Sequence, residues 1–248
     1  MSNKQFLPLP TSVDNFAELI TTSCYYVDKT PYLKEVFADI TTADDKSKVK
    51  GSNVLLFTRP RRFGKTLLMT MFESFLKINS EKPFDTSLQL KYFQGTKILE
   101  DNEFCSKFMG QYPVIFLSLK DAWSKESSEI AINKFFDELG KVAEEFQFLL
   151  VSDKLDANLK KSLQELIDLK DRKIPYTQKW ITGTSFLSDL MSILKAATSK
   201  DVVVLIDEYD VPLSKVANCD FYQKIRDITS ILFSSGLKNN KLLKKSVI

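Results

Sequence analysis

Arg59-Pro60-Arg61-Arg62-Phe63-Gly64-Lys65-Thr66 is the stretch that decides the fold. The apolar run Val54-Leu55-Leu56-Phe57 before it reads as a buried strand. Leu67-Leu68-Met69-Thr70-Met71-Phe72-Glu73-Ser74-Phe75-Leu76 after it reads as a helix. Strand, turn, Gly-Lys-Thr and helix make the setting that a phosphate-binding loop requires. Unbonded N–H groups and the positive end of the helix dipole attract polyphosphate there. In this reading Arg61, Arg62, Phe63, Gly64, Lys65, Thr66 and Leu67 form the nucleotide-binding segment. Lys65 reaches the β- and γ-phosphates and the Thr66 hydroxyl holds Mg²⁺. Arg59 stands where the common pattern has its first glycine, so it must adopt an allowed backbone conformation there. Pro60 pushes it toward extended geometry.

The second informative stretch is Asp201-Val202-Val203-Val204-Leu205-Ile206-Asp207-Glu208-Tyr209-Asp210. Five consecutive apolar residues, mostly β-branched, suit a strand buried on both faces of a parallel sheet. Two carboxylates follow, at the strand end where open α/β sheets bind ligands. That is the pattern of a Walker B strand. Asp207 is the candidate Mg²⁺ ligand, acting through water because Mg²⁺ keeps much of its hydration shell. Glu208 is the candidate that orients and polarises the attacking water. Lys65 and Glu208 are therefore the expected catalytic pair, Thr66 and Asp207 the expected metal ligands, and a polyphosphate with Mg²⁺ the expected ligand.

These stretches resemble the predicted AAA-ATPase-like family, whose members read Arg-Pro-Arg-Arg-Phe-Gly-Lys-Thr at the phosphate loop. Arg59 to Thr66 matches that run at every position. Leu7-Pro8 through Asp14-Asn15-Phe16, and then Tyr25-Tyr26-Val27-Asp28-Lys29-Thr30, resemble the family's N-terminal signature. Tyr112-Pro113-Val114-Ile115-Phe116-Leu117-Ser118-Leu119-Lys120-Asp121 resembles its second core strand, and Leu205 to Leu213 its Walker B segment. The resemblance implies a P-loop NTPase of the three-layer α/β/α type with a mostly parallel central sheet. It also implies ATP rather than GTP. Family members often carry a C-terminal nuclease-like domain, for which this chain shows no sequence beyond Ile248. In ATPases of this branch a further strand follows the Walker B strand, and the resemblance puts it near Ser246. Either Ser246 to Ile248 form a short version of that strand or the chain is truncated, and truncation is the expectation.

Composition bounds the alternatives. With 248 residues, 44% hydrophobic and 27% charged, the chain reads as a globular protein with ample core material, much of it aromatic given 19 Phe. The expected organisation is a lead-in over residues 1–50 and a P-loop domain over 51–248. A net charge of +3 does not by itself indicate nucleic-acid binding. Lys238, Lys241, Lys244 and Lys245 leave open a solvated helix end or a weak nucleic-acid contact. Cys24, Cys105 and Cys219 are scattered, which suits a reducing, cytoplasmic setting. The absence of histidine excludes Ser/His and Cys/His catalysis and imidazole acid–base chemistry. Met1 to Thr11 does not read as a signal peptide, and no apolar run approaches a membrane span.

Helices are expected over Asn15–Ile20 and Pro31–Ile40, and Thr41–Ser52 reads as a loop. Short helical pieces are expected between Glu81 and Tyr112, and a strand over Val114–Leu119. A long helix opened by Ser127 and running to about Leu150 is expected next, with apolar positions at Ile132, Phe135, Phe136, Leu139, Val142, Ala143 and Phe146. Leu155–Leu169 and a helix capped by Thr184 complete a helical insertion before the Walker B strand. Phe221–Phe233 reads as a helix and Lys244–Ile248 as the start of a strand. Tyr25, Tyr26 and Tyr32 either line an adenine pocket or pack. Arg61 and Arg62 either meet phosphate or a neighbouring subunit, or serve structure. The expected activity is Mg²⁺-dependent ATP hydrolysis, with nucleotide as ligand and a homo-oligomer or protein partner left open. The alternative is a nucleotide-binding scaffold without turnover, a remnant of a longer ATPase–nuclease-like protein.

Overall fold

The computed structural model describes residues 9–10, 13–22, 24–37, 53–58 and 63–248. Arg59, Pro60, Arg61, Arg62 and the loop expected over Thr41–Ser52 lie outside them. The chain forms two compact units, Met1–Tyr112 and Pro113–Ile248.

The first unit is built on phenylalanine. Its elements are α1 (Phe16–Thr21), α2 (Pro31–Phe37), the two-residue strand β1 (Val54–Leu55), α3 (Lys65–Leu76), α4 (Ser87–Tyr92) and α5 (Asn102–Phe108). The expected strand over Val54–Phe57 is thus shorter, and Leu56 is exposed. The α3 helix carries Leu68, Met69, Met71, Phe72, Phe75 and Leu76 into the core, so it is buried on most of its surface. Phe75 packs on Phe93 with centroids 5.1 Å apart, Phe93 on Phe16 at 4.9 Å, and Phe104 stacks on Phe108 at 4.5 Å. Such pairs contribute beyond the area they bury, by about 0.5–1.5 kcal/mol each. The Thr70 hydroxyl accepts the Phe16 N–H at 3.0 Å, tying α1 to α3. At the far end of α3, Gly110 N–H donates to Phe75 O and Tyr112 N–H to Leu76 O. The helix that follows Gly64 is therefore held at its middle and at its far end.

The second unit contains β2 (Val114–Ser118), α6 (Ser128–Glu144), α7 (Ala157–Ile167), α8 (Tyr176–Thr198), β3 (Val202–Asp207), α9 (Val211–Lys215), α10 (Tyr222–Leu237) and β4 (Leu243–Val247). The β3 strand runs parallel to β2 on one side and to β4 on the other. Ser118 is level with Asp207, and Ser246 with Val204. All six β3 residues are buried, which is why their sequence does not alternate. The register slips between Val202 and Val203, where β4 carries one extra residue. The fold is mixed α/β with parallel strands, and the helical insertion separates β2 from β3 as expected.

Two helix expectations need correction. The helix opened by Ser127, whose hydroxyl accepts the Ile130 N–H, ends at Glu144 rather than near Leu150. The next N–H, from Phe146, bonds to Ala143 O, three residues back, and the chain tightens into a 3₁₀ turn over Gln147–Val151. Thr184 does not cap a helix. It lies inside α8, and its hydroxyl donates to the Trp180 carbonyl four residues back at 2.9 Å.

Helix contacts in this unit rely on absent side chains. A Cβ on Gly183 of α8 would lie 2.1 Å from Cε1 of Phe136 on α6. Ser235 of α10 donates to the Thr184 carbonyl at 2.8 Å, and a Cβ on Gly236 would lie 2.4 Å from the Leu187 Cβ. Replacing Gly183 by Ala forces Phe136 out of a filled core, a change that costs roughly 1–3 kcal/mol. The Gly183→Ala protein is expected to melt several degrees below wild type, and adding Phe136→Leu should restore part of the loss. Equal midpoints for wild type and Gly183→Ala would contradict this packing.

Candidate functional site

In the first unit, Gly64 is the N-cap of α3 and adopts the left-handed conformation, φ 71° and ψ 36°. Only glycine takes that conformation without a Cβ penalty. Leu68 N–H donates to Gly64 O at 3.0 Å, so the helix is closed from its first turn. Lys65, Thr66 and Leu67 form that turn and are half-buried. The N–H groups of a first helical turn have no intrahelical acceptor, and a glycine cap brings no side-chain acceptor of its own. Four of the seven expected phosphate-loop residues, Gly64 to Leu67, are thus gathered at one helix N-terminus. Phe63 is 62% exposed. Arg61 and Arg62 fall outside the described residues.

A residue without an assigned role in the sequence reading also lies here. A Cβ on Gly64 would sit 3.1 Å from the Lys29 Nζ. Lys29 belongs to a tightly tied segment. Its N–H donates to the Tyr26 hydroxyl at 3.0 Å, and its carbonyl accepts from Tyr32 N–H at 3.1 Å. Asp28 accepts from Thr30 N–H at 2.8 Å and from Lys97 N–H at 2.9 Å. The fully buried Thr30 hydroxyl accepts from Ile98 N–H at 3.2 Å. No sequence spacing links position 29 to position 64; only the Asp-Lys-Thr run, with its two short polar side chains beside a lysine, hints at a fixed turn.

The same bonds determine the titration of this segment. Burial pushes the Asp28 carboxyl upward, but the N–H groups of Lys97 and Thr30 outweigh it and hold the group below its ordinary value of 3.8. A depressed folded value means stability that is present above the ordinary range and lost as pH falls through the folded value. Asp28→Asn is expected to cost on the order of 1 kcal/mol at neutral pH, after allowance for solvent screening. In urea titrations the gap from wild type should close as pH drops below 3.8. A gap that is absent at pH 7, or unchanged in acid, would contradict it.

The three tyrosines divide. Tyr25 is exposed. Tyr26 stands edge-on to Phe16 and donates to the Met71 sulfur at 3.3 Å, and burial pushes its phenol up to about 12. Tyr32 packs edge-on against Phe57. Packing accounts for Tyr26 and Tyr32.

In the second unit, Asp207 ends β3 and is 2% exposed, and Glu208 follows at the C-terminal strand end. Asp207 O accepts the Leu119 N–H at 3.0 Å, extending the β2 ladder by one bond. Glu208 has φ 53°, a left-handed conformation that a residue with a Cβ rarely adopts. Its N–H donates to the Asp207 carboxylate at 3.0 Å and its carbonyl accepts from Val211 N–H. Strain of this kind, on the order of 1–3 kcal/mol, gathers at functional sites. Nearby, the Lys215 ammonium of α9 stands 5.0 Å over the Trp123 ring, joining α9 to the loop after β2.

The space that a Cβ on Gly64 would fill has an ammonium beside it, a setting compatible with an anion. The Thr66 hydroxyl and the Asp207 carboxylate are hard oxygen donors of the kind Mg²⁺ prefers. Among the described residues there is no group of three or more His, Cys, Asp or Glu that could hold a metal ion. Mg²⁺ bound through substrate phosphates uses only one or two carboxylates. Among those residues, too, no helix is long and apolar enough to cross a membrane.

No curated protein and no solved structure matched the chain. A family model described as a predicted AAA-ATPase matches residues 10–248, a span that includes the left-handed Gly64 cap and the β3 acid pair. The chain belongs to the predicted AAA-ATPase family.

Proposed function

We propose that this protein is a Mg²⁺-dependent ATP-binding domain that hydrolyses the β–γ phosphoanhydride. The observation that carries the reading is the left-handed Gly64 cap opening α3, with Lys65 and Thr66 as the first helical residues. Membership of a family described as a predicted AAA-ATPase supports it. In this reading the Gly64 to Leu67 backbone N–H groups receive phosphate oxygens, and Lys65 adds its charge at the β- and γ-phosphates. Thr66 and Asp207 would hold Mg²⁺, which neutralises charge developing on the phosphates. Glu208 orients the attacking water and accepts its proton. Its left-handed backbone favours this assignment, because conformational strain needs a reason at a strand end. Arg61 and Arg62 would add positive charge to the same loop.

The test is a melting curve with and without MgATP. A rise in midpoint that disappears when ATP is omitted supports the reading; no rise at millimolar MgATP defeats it.

A further inference from the structure

We propose that Lys29 is a second phosphate-binding cation of the nucleotide site, acting at the α- and β-phosphates; this rests on the ATP-binding reading above. The Lys29 ammonium lies against Gly64, within 3.1 Å of the space its Cβ would occupy. The N-terminus of α3 carries the equivalent of roughly half a positive charge. A lysine ammonium beside it is electrostatically unfavourable by itself. Among the described residues no hydrogen bond or ion pair of the Lys29 ammonium offsets that repulsion. The backbone of Lys29 is nevertheless held firmly in place, by Tyr26 on one side and Tyr32 on the other. Asp28 and Thr30, its neighbours, are tied to Lys97 and Ile98.

A half-buried cation beside the positive end of a helix is unfavourable unless an anion joins it. Polyphosphate supplies that anion. The phosphate group that meets the backbone of a Gly-Lys-Thr turn is the α/β pair, whereas the loop lysine reaches β and γ. A cation beside Gly64 therefore serves the phosphates that ATP and ADP share. The two lysines divide the charge between them, one from the helix and one from the turn preceding α2.

The experiment measures ATP and ADP affinity by calorimetry for wild type, Lys29→Met and Lys29→Arg, with melting midpoints in the absence of nucleotide. A charge-assisted contact predicts that Lys29→Met binds both nucleotides about tenfold or more weakly. Lys29→Arg should keep most of the affinity. Without nucleotide, Lys29→Met should melt at the wild-type midpoint or slightly above it, because a repulsion has been removed. A fall in that midpoint would mean that Lys29 serves the fold, and would overturn the proposal. So would unchanged affinity in Lys29→Met, or a loss confined to ATP. Wild type that binds neither nucleotide would instead defeat the ATP-binding reading itself, and the proposal with it.

Discussion

Replacing Lys65 by Ala is expected to abolish the stabilisation that the proposed MgATP binding would confer. At a nucleotide concentration a hundredfold above Kd, the native state gains about 2.7 kcal/mol. For a chain of this size each kcal/mol moves the midpoint by roughly 2–4 °C. Wild type is therefore expected to melt several degrees higher with MgATP, and Lys65→Ala to show almost no change. A large effect is expected because, in the proposed site, the ammonium would supply charge that the N–H groups of the first helical turn cannot replace. Lys65 is half-buried and lies in the first turn of α3, whose core contacts come from Leu68 onward. The nucleotide-free midpoint of the variant should thus stay near that of wild type, which separates lost binding from lost folding. A Lys65→Ala protein that keeps the full MgATP shift would remove the phosphate-loop assignment.

The second large effect falls on turnover. Glu208→Gln preserves side-chain shape and removes the carboxylate, so nucleotide binding should persist while hydrolysis drops. A positioned general base contributes about 10²- to 10⁴-fold, and a loss within that range is expected in a phosphate-release assay. The left-handed backbone at Glu208 is set by the turn into α9, where its carbonyl accepts from Val211 N–H. Glutamine can keep that bond, so the variant should fold normally. Equal, background rates for wild type and Glu208→Gln would favour the alternative, a nucleotide-binding scaffold without turnover.

Much of the fold is legible in the sequence, for identifiable reasons. Val202 to Ile206 is uninterrupted because β3 is covered on both faces, and that coverage marks it as an inner parallel strand. The α6 periodicity was readable because Ile132, Phe135, Phe136 and Leu139 all face one core. Its end was not, because the apolar pattern continues through Phe146 and Leu149 while the hydrogen bonding tightens to 3₁₀. Thr184 was misread because a threonine hydroxyl bonds backbone both as a cap and four residues back within a helix. The true start of α8 lies after Pro175, a residue suited to helix openings. In the candidate site, Gly64, Lys65, Thr66, Asp207 and Glu208 are singled out by residue type and neighbours, and their roles stand as proposals. Lys29 is not singled out in this way. Its place beside Gly64 follows from hydrogen bonds of Tyr26, Asp28 and Thr30, which no spacing rule encodes.

The most direct measurement is a calorimetric titration of ATP into the purified chain, with Mg²⁺ and then with the metal chelated. Wild type, Lys65→Ala and Asp207→Asn should be titrated side by side. The account predicts saturable binding by wild type that weakens when Mg²⁺ is removed, no measurable binding by Lys65→Ala, and binding by Asp207→Asn that no longer responds to the metal. Absence of binding by wild type at millimolar MgATP, or full metal-dependent affinity in either variant, would contradict it.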